Sequence, residues 1–84
     1  MKQKNKNSRF LVGKITYLRQ KKTYVNERDY IDIMIDTGFV TCRLWDFMML
    51  SKELSIGDQV QIEFDGQVKE GFLLQIKKLA GQSK

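Results

Sequence analysis

At 84 residues the chain has room for one domain with a modest core, and its single cysteine and lack of histidine leave neither an intramolecular disulfide nor a Cys/His zinc site. Hydrophobic residues make up 42%, as in a folded domain, yet no apolar run approaches the roughly 18 residues that span a bilayer. The net charge of +5 is unevenly laid: nine of the fifteen Lys/Arg fall in residues 1–28 against Glu27 alone, while the other six face nine acids, a bias that attracts polyanions, nucleic acid being the common one.

Residues 1–9 alternate Lys with Gln and Asn and read as a flexible basic arm ahead of a domain over 10–80, with a frayed end at 81–84. The arm is followed by no apolar core of a secretory signal, and one reduced thiol fits a cytoplasmic protein with no membrane partner. Residues 10–20 (FLVGKITYLRQ) form a long β-rich run with Gly13 inside it, which predicts a bulge or sharp bend there. Residues 21–29 are a polar loop. Residues 30–36 (YIDIMID) alternate, with Ile31, Ile33 and Ile35 on one side and Tyr30, Asp32, Met34 and Asp36 on the other. After a Thr37-Gly38 turn, residues 39–45 alternate again, placing Val40, Cys42 and Leu44 inward and Phe39, Thr41, Arg43 and Trp45 outward.

At 46–55 the period changes. Phe47, Leu50 and Leu54 fall at helical spacing behind Asp46 as N-cap, with Gly57 past the end, which predicts a short helix that plugs one end of the core with Phe47, Met48, Met49, Leu50 and Leu54. Residues 59–64 alternate with Val60, Ile62 and Phe64 together. An Asp65-Gly66 turn leads to a last strand over 72–79. The order is β-β-β-α-β-β. Five strands in an open sheet would leave two long edges, whereas closure into a small barrel removes them, with the first strand bent at Gly13 and shared by both halves.

The chain offers little to catalysis. It has no histidine, no Ser in a nucleophile elbow, no GxxxxGK loop and only scattered carboxylates, so the expectation is a binding module without enzyme activity or cofactor.

The stretches VGKI (12–15), YIDIMIDTGFVTCRLW (30–45) and LSIGDQVQIEFDGQV (54–68), in this order, resemble the nucleic-acid-binding oligonucleotide/oligosaccharide-binding (OB) folds. These include domains of replication protein A, archaeal-type single-strand-binding proteins and tRNA-anticodon-type domains. The resemblance implies an all-β, five-stranded OB-fold barrel with a helix between strands 3 and 4. It also implies a ligand lying across the outer face of strands 2 and 3, between the strand 1–2 loop (21–29) and the strand 4–5 loop (65–72).

On that face Trp45 is either a ring on which a base stacks or a strand-end residue folded over the helix. Arg43, beside Thr41, either meets phosphate or a base or pairs with Asp32 or Asp36 across the ladder. Two acids there repel a polyanion unless they are paired. Lys14, Arg19, Lys21, Lys22 and Arg28 form a basic fence around the strand 1–2 loop, with Tyr24 among them. Lys69 lies in the strand 4–5 loop. Phe72 closes that loop, either as a second stacking ring or inward with Leu74 and Ile76. The facings of Tyr17 and Tyr30 stay open, and Cys42 reads as a buried small residue.

The leading expectation is a single-stranded nucleic-acid-binding protein, DNA before RNA, with little sequence preference. The alternatives are an OB-fold adaptor in a replication, repair or mobile-element complex, and a barrel that binds structured RNA or the ribosome. A homo-oligomer or a replication or repair protein is a further expected partner, because one small OB domain holds few nucleotides.

Overall fold

A computed structural model describes residues 8–67 and 69–79. The five strands are β1 (Ser8–Lys22), β2 (Asp29–Asp36), β3 (Thr41–Asp46), β4 (Gln59–Gly66) and β5 (Glu70–Lys78). They close into a barrel in the order β1-β2-β3-β5-β4, antiparallel throughout except where β3 runs parallel to β5. The interior is apolar: Ile15, Ile31, Ile33, Ile35, Leu44, Val60, Ile62, Phe64 and Leu73 are buried together. The expected inward sets on β2, β3 and β4 supply most of it. Cys42 is buried as expected, and burial pushes its thiol pKa up.

β1 serves two partners. Its first half pairs with β4 and its second with β2, and Lys14 stands opposite both Gln59 and Asp36. The neighbouring Gly13 is buried where strands converge: a Cβ there would lie 2.5 Å from the Asp36 carbonyl oxygen and 2.7 Å from Ile35 Cγ2. The bend expected at Gly13 is therefore a close approach that only glycine permits. The bulge itself comes three residues later. Ile15 pairs with Ile35 and Tyr17 with Met34, so Thr16 is the extra residue. It resets the phase of β1, which lets both Ile15 and Leu18 turn toward the core.

A second bulge corrects the last strand. Glu63 pairs with Gln75 and Phe64 with Leu73, leaving Leu74 as the extra residue. The expected inward series Phe72, Leu74, Ile76 thus breaks in the middle. Leu73 and Ile76 face the core, and Phe72 stands outside, 51% exposed. β3 also starts later than expected, at Thr41, because Thr37 N–H donates to the Val40 carbonyl at 3.0 Å and closes a turn that leaves Phe39 exposed.

The expected helix over 46–55 is absent, and the described residues contain none. Residues 47–54 fold as successive tight turns. Lys52 N–H donates to the Met49 carbonyl and Leu54 N–H to that of Ser51, both three residues back. Met49 sits at φ +56°, a left-handed conformation that ends a right-handed helix. Asp46 does cap, but it caps a turn. Fully buried, it accepts Leu50 N–H at 3.0 Å, Ser51 N–H at 2.7 Å and the Ser51 hydroxyl at 2.6 Å. Met49 and Leu54 still pack on the core from this segment, whereas Met48 and Leu50 are exposed. The basic arm expected over 1–9 falls, through residue 7, outside the described residues, as does the end at 81–84. Ser8 and Arg9 belong to β1.

Candidate nucleic-acid interface

The second half of β1, β2 and β3 present one continuous outer face. Directly opposed residues of antiparallel strands share a face. The registers therefore align Tyr17, Arg19 and Lys21 on β1 with Met34, Asp32 and Tyr30 on β2, and these with Arg43 and Trp45 on β3. Lys14, Asp36 and Thr41 share a level at the far end of the same strip. From Asp36 to Tyr30 the strip runs about 20 Å along the strand.

At the Tyr30 end, four rings assemble. Tyr30 stacks on Phe47 with centroids 5.0 Å apart, Phe47 meets Phe72 at 6.0 Å, and Phe72 meets Trp45 at 5.5 Å. The parallel pairing of β3 with β5 sets Trp45 level with Phe72. These rings and Thr23 line an open depression of about 280 Å³. Trp45 is half-buried against Phe72 on the outer face, not folded into the core, because the alternation that buries Cys42 and Leu44 turns it outward. Phe47 was expected inside the plug. Instead the outward series Arg43, Trp45 continues by one more step of two to Phe47, which was the signal that the helical reading of 46–55 masked.

Cations flank the rings. The Arg28 guanidinium lies 4.9 Å from the Phe47 centroid and that of Arg43 5.9 Å from the Trp45 centroid, both within cation–π range. Lys21 Nζ lies 5.6 Å from the Tyr17 ring. Arg43 and Lys21 converge on Asp32, the Lys21 ammonium at 2.9 Å and the Arg43 fork through Nε at 3.1 Å and Nη2 at 2.9 Å. Thus Asp32 is paired, and Arg43 takes the cross-strand partner. Burial alone would raise the Asp32 carboxyl, but the hydrogen bonds from Arg43 and Lys21 outweigh it and hold its pKa below the ordinary carboxylate value. The same bonds to Asp32 raise Lys21 and Arg43.

The remaining expected residues spread outward from this centre. Lys22 pairs with Asp29 at 2.9 Å on the exposed hairpin. Tyr24 stands almost wholly exposed at its tip, in a loop closed by Thr23 N–H on the Arg28 carbonyl and by Arg28 N–H on the Thr23 hydroxyl, each at 3.0 Å. Arg19 and Lys14 are exposed on β1. Lys69 is exposed and accepts Arg43 N–H through its backbone carbonyl at 2.8 Å. The structure thus groups Trp45, Arg43, Phe72, Lys21 and Arg28 around Tyr30 and Phe47, while Lys14 and Thr41 mark the far end of the strip and Tyr24 the tip of the hairpin. Among the described residues no group of three or more His, Cys, Asp or Glu lies together to hold a metal ion.

No family model and no curated protein matches the sequence. The fold does have a solved counterpart. The chain is similar to the mitochondrial single-stranded DNA binding protein Rim1 of S. cerevisiae, with a TM-score of 0.73 over 89% of this chain and 96% of that one at 16% sequence identity. The closed five-stranded barrel and its strand order are those of an OB fold.

Proposed function

We propose that this chain binds single-stranded nucleic acid, DNA in preference to RNA, along the outer face of β2 and β3, with little sequence preference. The observation that carries the reading is the four-ring strip of Tyr30, Phe47, Phe72 and Trp45, open to solvent and flanked by Arg28, Arg43 and Lys21. Every base has a π-face, so such rings hold an unstacked strand whatever its sequence, at about 1–3 kcal/mol per stacked base. Arg28, with Lys14 and Arg19 along the strip, draws the strand in and makes binding weaken with salt. A fold shared with a single-stranded DNA binding protein supports the reading.

Titration of the Trp45 fluorescence with oligo-dT, oligo-U and a DNA duplex at two salt concentrations tests it. Quenching by oligo-dT that fades at high salt and is weaker with duplex is the expected result. An unchanged emission with every ligand at low salt would sink the proposal. A second reading, an adaptor that binds another protein, is favoured by apolar residues the strip does not use: Phe10 and Val12 on β1 and Phe39 at the β2–β3 turn are all more than half exposed.

A further inference from the structure

Asp32 sits in the middle of the proposed binding strip, on the side meant to face a polyanion, and is fully buried there. Its cover is Lys21 from β1 and Arg43 from β3. The Arg43 contact is a fork: Nε meets Oδ1 and Nη2 meets Oδ2. That geometry uses the guanidinium edge best suited to a phosphate and fixes the guanidinium plane. The same guanidinium lies 5.9 Å from the Trp45 ring centroid, beside the chain of rings that continues through Phe72 and Phe47 to Tyr30.

We infer that Asp32 determines ligand specificity: by occupying Arg43 and Lys21 it turns the centre of the strip from a phosphate site into a platform for bases. This rests on the single-strand reading above. Two cations share one carboxylate, so the cluster carries a net charge of only one and has little to offer a bare phosphate chain. What it offers is a flat, oriented guanidinium next to Trp45. An unpaired base can lie on that surface, and a polyanion without bases gains nothing from it. Arg43 touches the ligand, and Asp32 is the positioning residue behind it.

The test compares oligo-dT with an abasic oligomer of equal length and charge over a range of salt, using the wild-type chain, Asp32→Asn and Arg43→Lys, with thermal unfolding to confirm that each variant is folded. The wild-type chain is expected to prefer oligo-dT strongly. Asp32→Asn releases both cations, so its binding should depend more steeply on salt, the slope of log affinity against log salt growing by about 0.7 for each cation that reaches a phosphate. Its preference for oligo-dT over the abasic oligomer should narrow. A merely structural role for Asp32 would weaken both ligands alike and leave that preference intact. Arg43→Lys keeps the charge but loses the fork and the plane, so it should lose oligo-dT affinity and hold the abasic oligomer as well as wild type; if Asp32→Asn does not fold, this variant decides. Unchanged slope and preference in Asp32→Asn, or wild-type behaviour of Arg43→Lys toward both ligands, overturns the inference while the single-strand reading stands. Failure of the wild-type chain to bind oligo-dT overturns that reading, and the role of Asp32 with it.

Discussion

Trp45 packs against Phe72 and lies beside the Arg43 guanidinium while staying only half-buried, so its ring is held without being enclosed. Removing it should cost binding more than folding. Trp45→Ala is expected to weaken oligo-dT affinity by at least about 1 kcal/mol in a fluorescence-independent assay such as filter binding, and Phe47→Ala to do the same. The alternation from Val40 to Leu44 points Trp45 outward, but its place at the strand end left a fold over the expected helix open, and that alternative falls with the helix. The orientation of Phe47 was not legible, because Phe47, Leu50 and Leu54 also fit one helical face. Asp32 was one of two partners the sequence offered Arg43, but Lys21 could not be foreseen: the register sets Arg19 and Trp45 opposite Asp32, and both cations reach it diagonally. That pairing has an acid signature. The Asp32 carboxyl titrates lower in the folded chain than in the unfolded one, so its contribution to stability is present above the unfolded value, about 3.9, and is lost as pH falls through the folded value. Melting temperature should therefore drop on acidification below the ordinary carboxylate range, and Asp32→Asn, less stable at neutral pH, should show a shallower drop.

At the scale of elements, single residues decide where strands turn. The alternation of β2, β3 and β4 could be read directly from the sequence because each is regular. β1 and β5 each carry an extra residue, Thr16 and Leu74, and a bulge reverses the phase of everything beyond it without leaving a mark in composition. That is why Phe72 could not be placed from Leu74 and Ile76. Gly13 could be recognised as a special position in β1, and the structure gives the reason as a close approach, the Asp36 carbonyl and Ile35 methyl that a Cβ would strike. Gly13→Ala should destabilise the barrel by about 1–3 kcal/mol in urea unfolding, as overpacking of a tight site does. The segment after β3 was misread as a helix because its apolar spacing is helical. What makes it a turn is the Asp46 carboxylate, which satisfies two backbone N–H groups and one hydroxyl inside the protein. Asp46→Ala leaves these donors unpaired, two of them on the buried Ser51, and should cost at least about 2 kcal/mol of stability by the same measurement.

For the molecule as a whole, the charge bias toward residues 1–28 becomes a spatial one. Of the bases in that stretch, Lys14, Arg19 and Lys21 border the outer face of β2 and β3, and Arg28 lies over its ring cluster. The double service of β1 also sets an order of events in time. A chain made from its N-terminus completes β1, β2 and β3 by residue 46, and neighbouring strands joined by short turns can pair at once. The first half of β1 must wait for β4, whose partners lie some fifty positions further along, and the loop this closes is the slow entropic step. Substitutions that weaken the β1–β4 seam, such as Leu11→Ala, are then expected to slow folding more than they speed unfolding in stopped-flow kinetics. Until β4 has emerged from the ribosome, Ser8 to Gly13 have no strand to meet, and β1, β2 and β3 can form only an open sheet, its interior exposed on the side where β4 and β5 later close it.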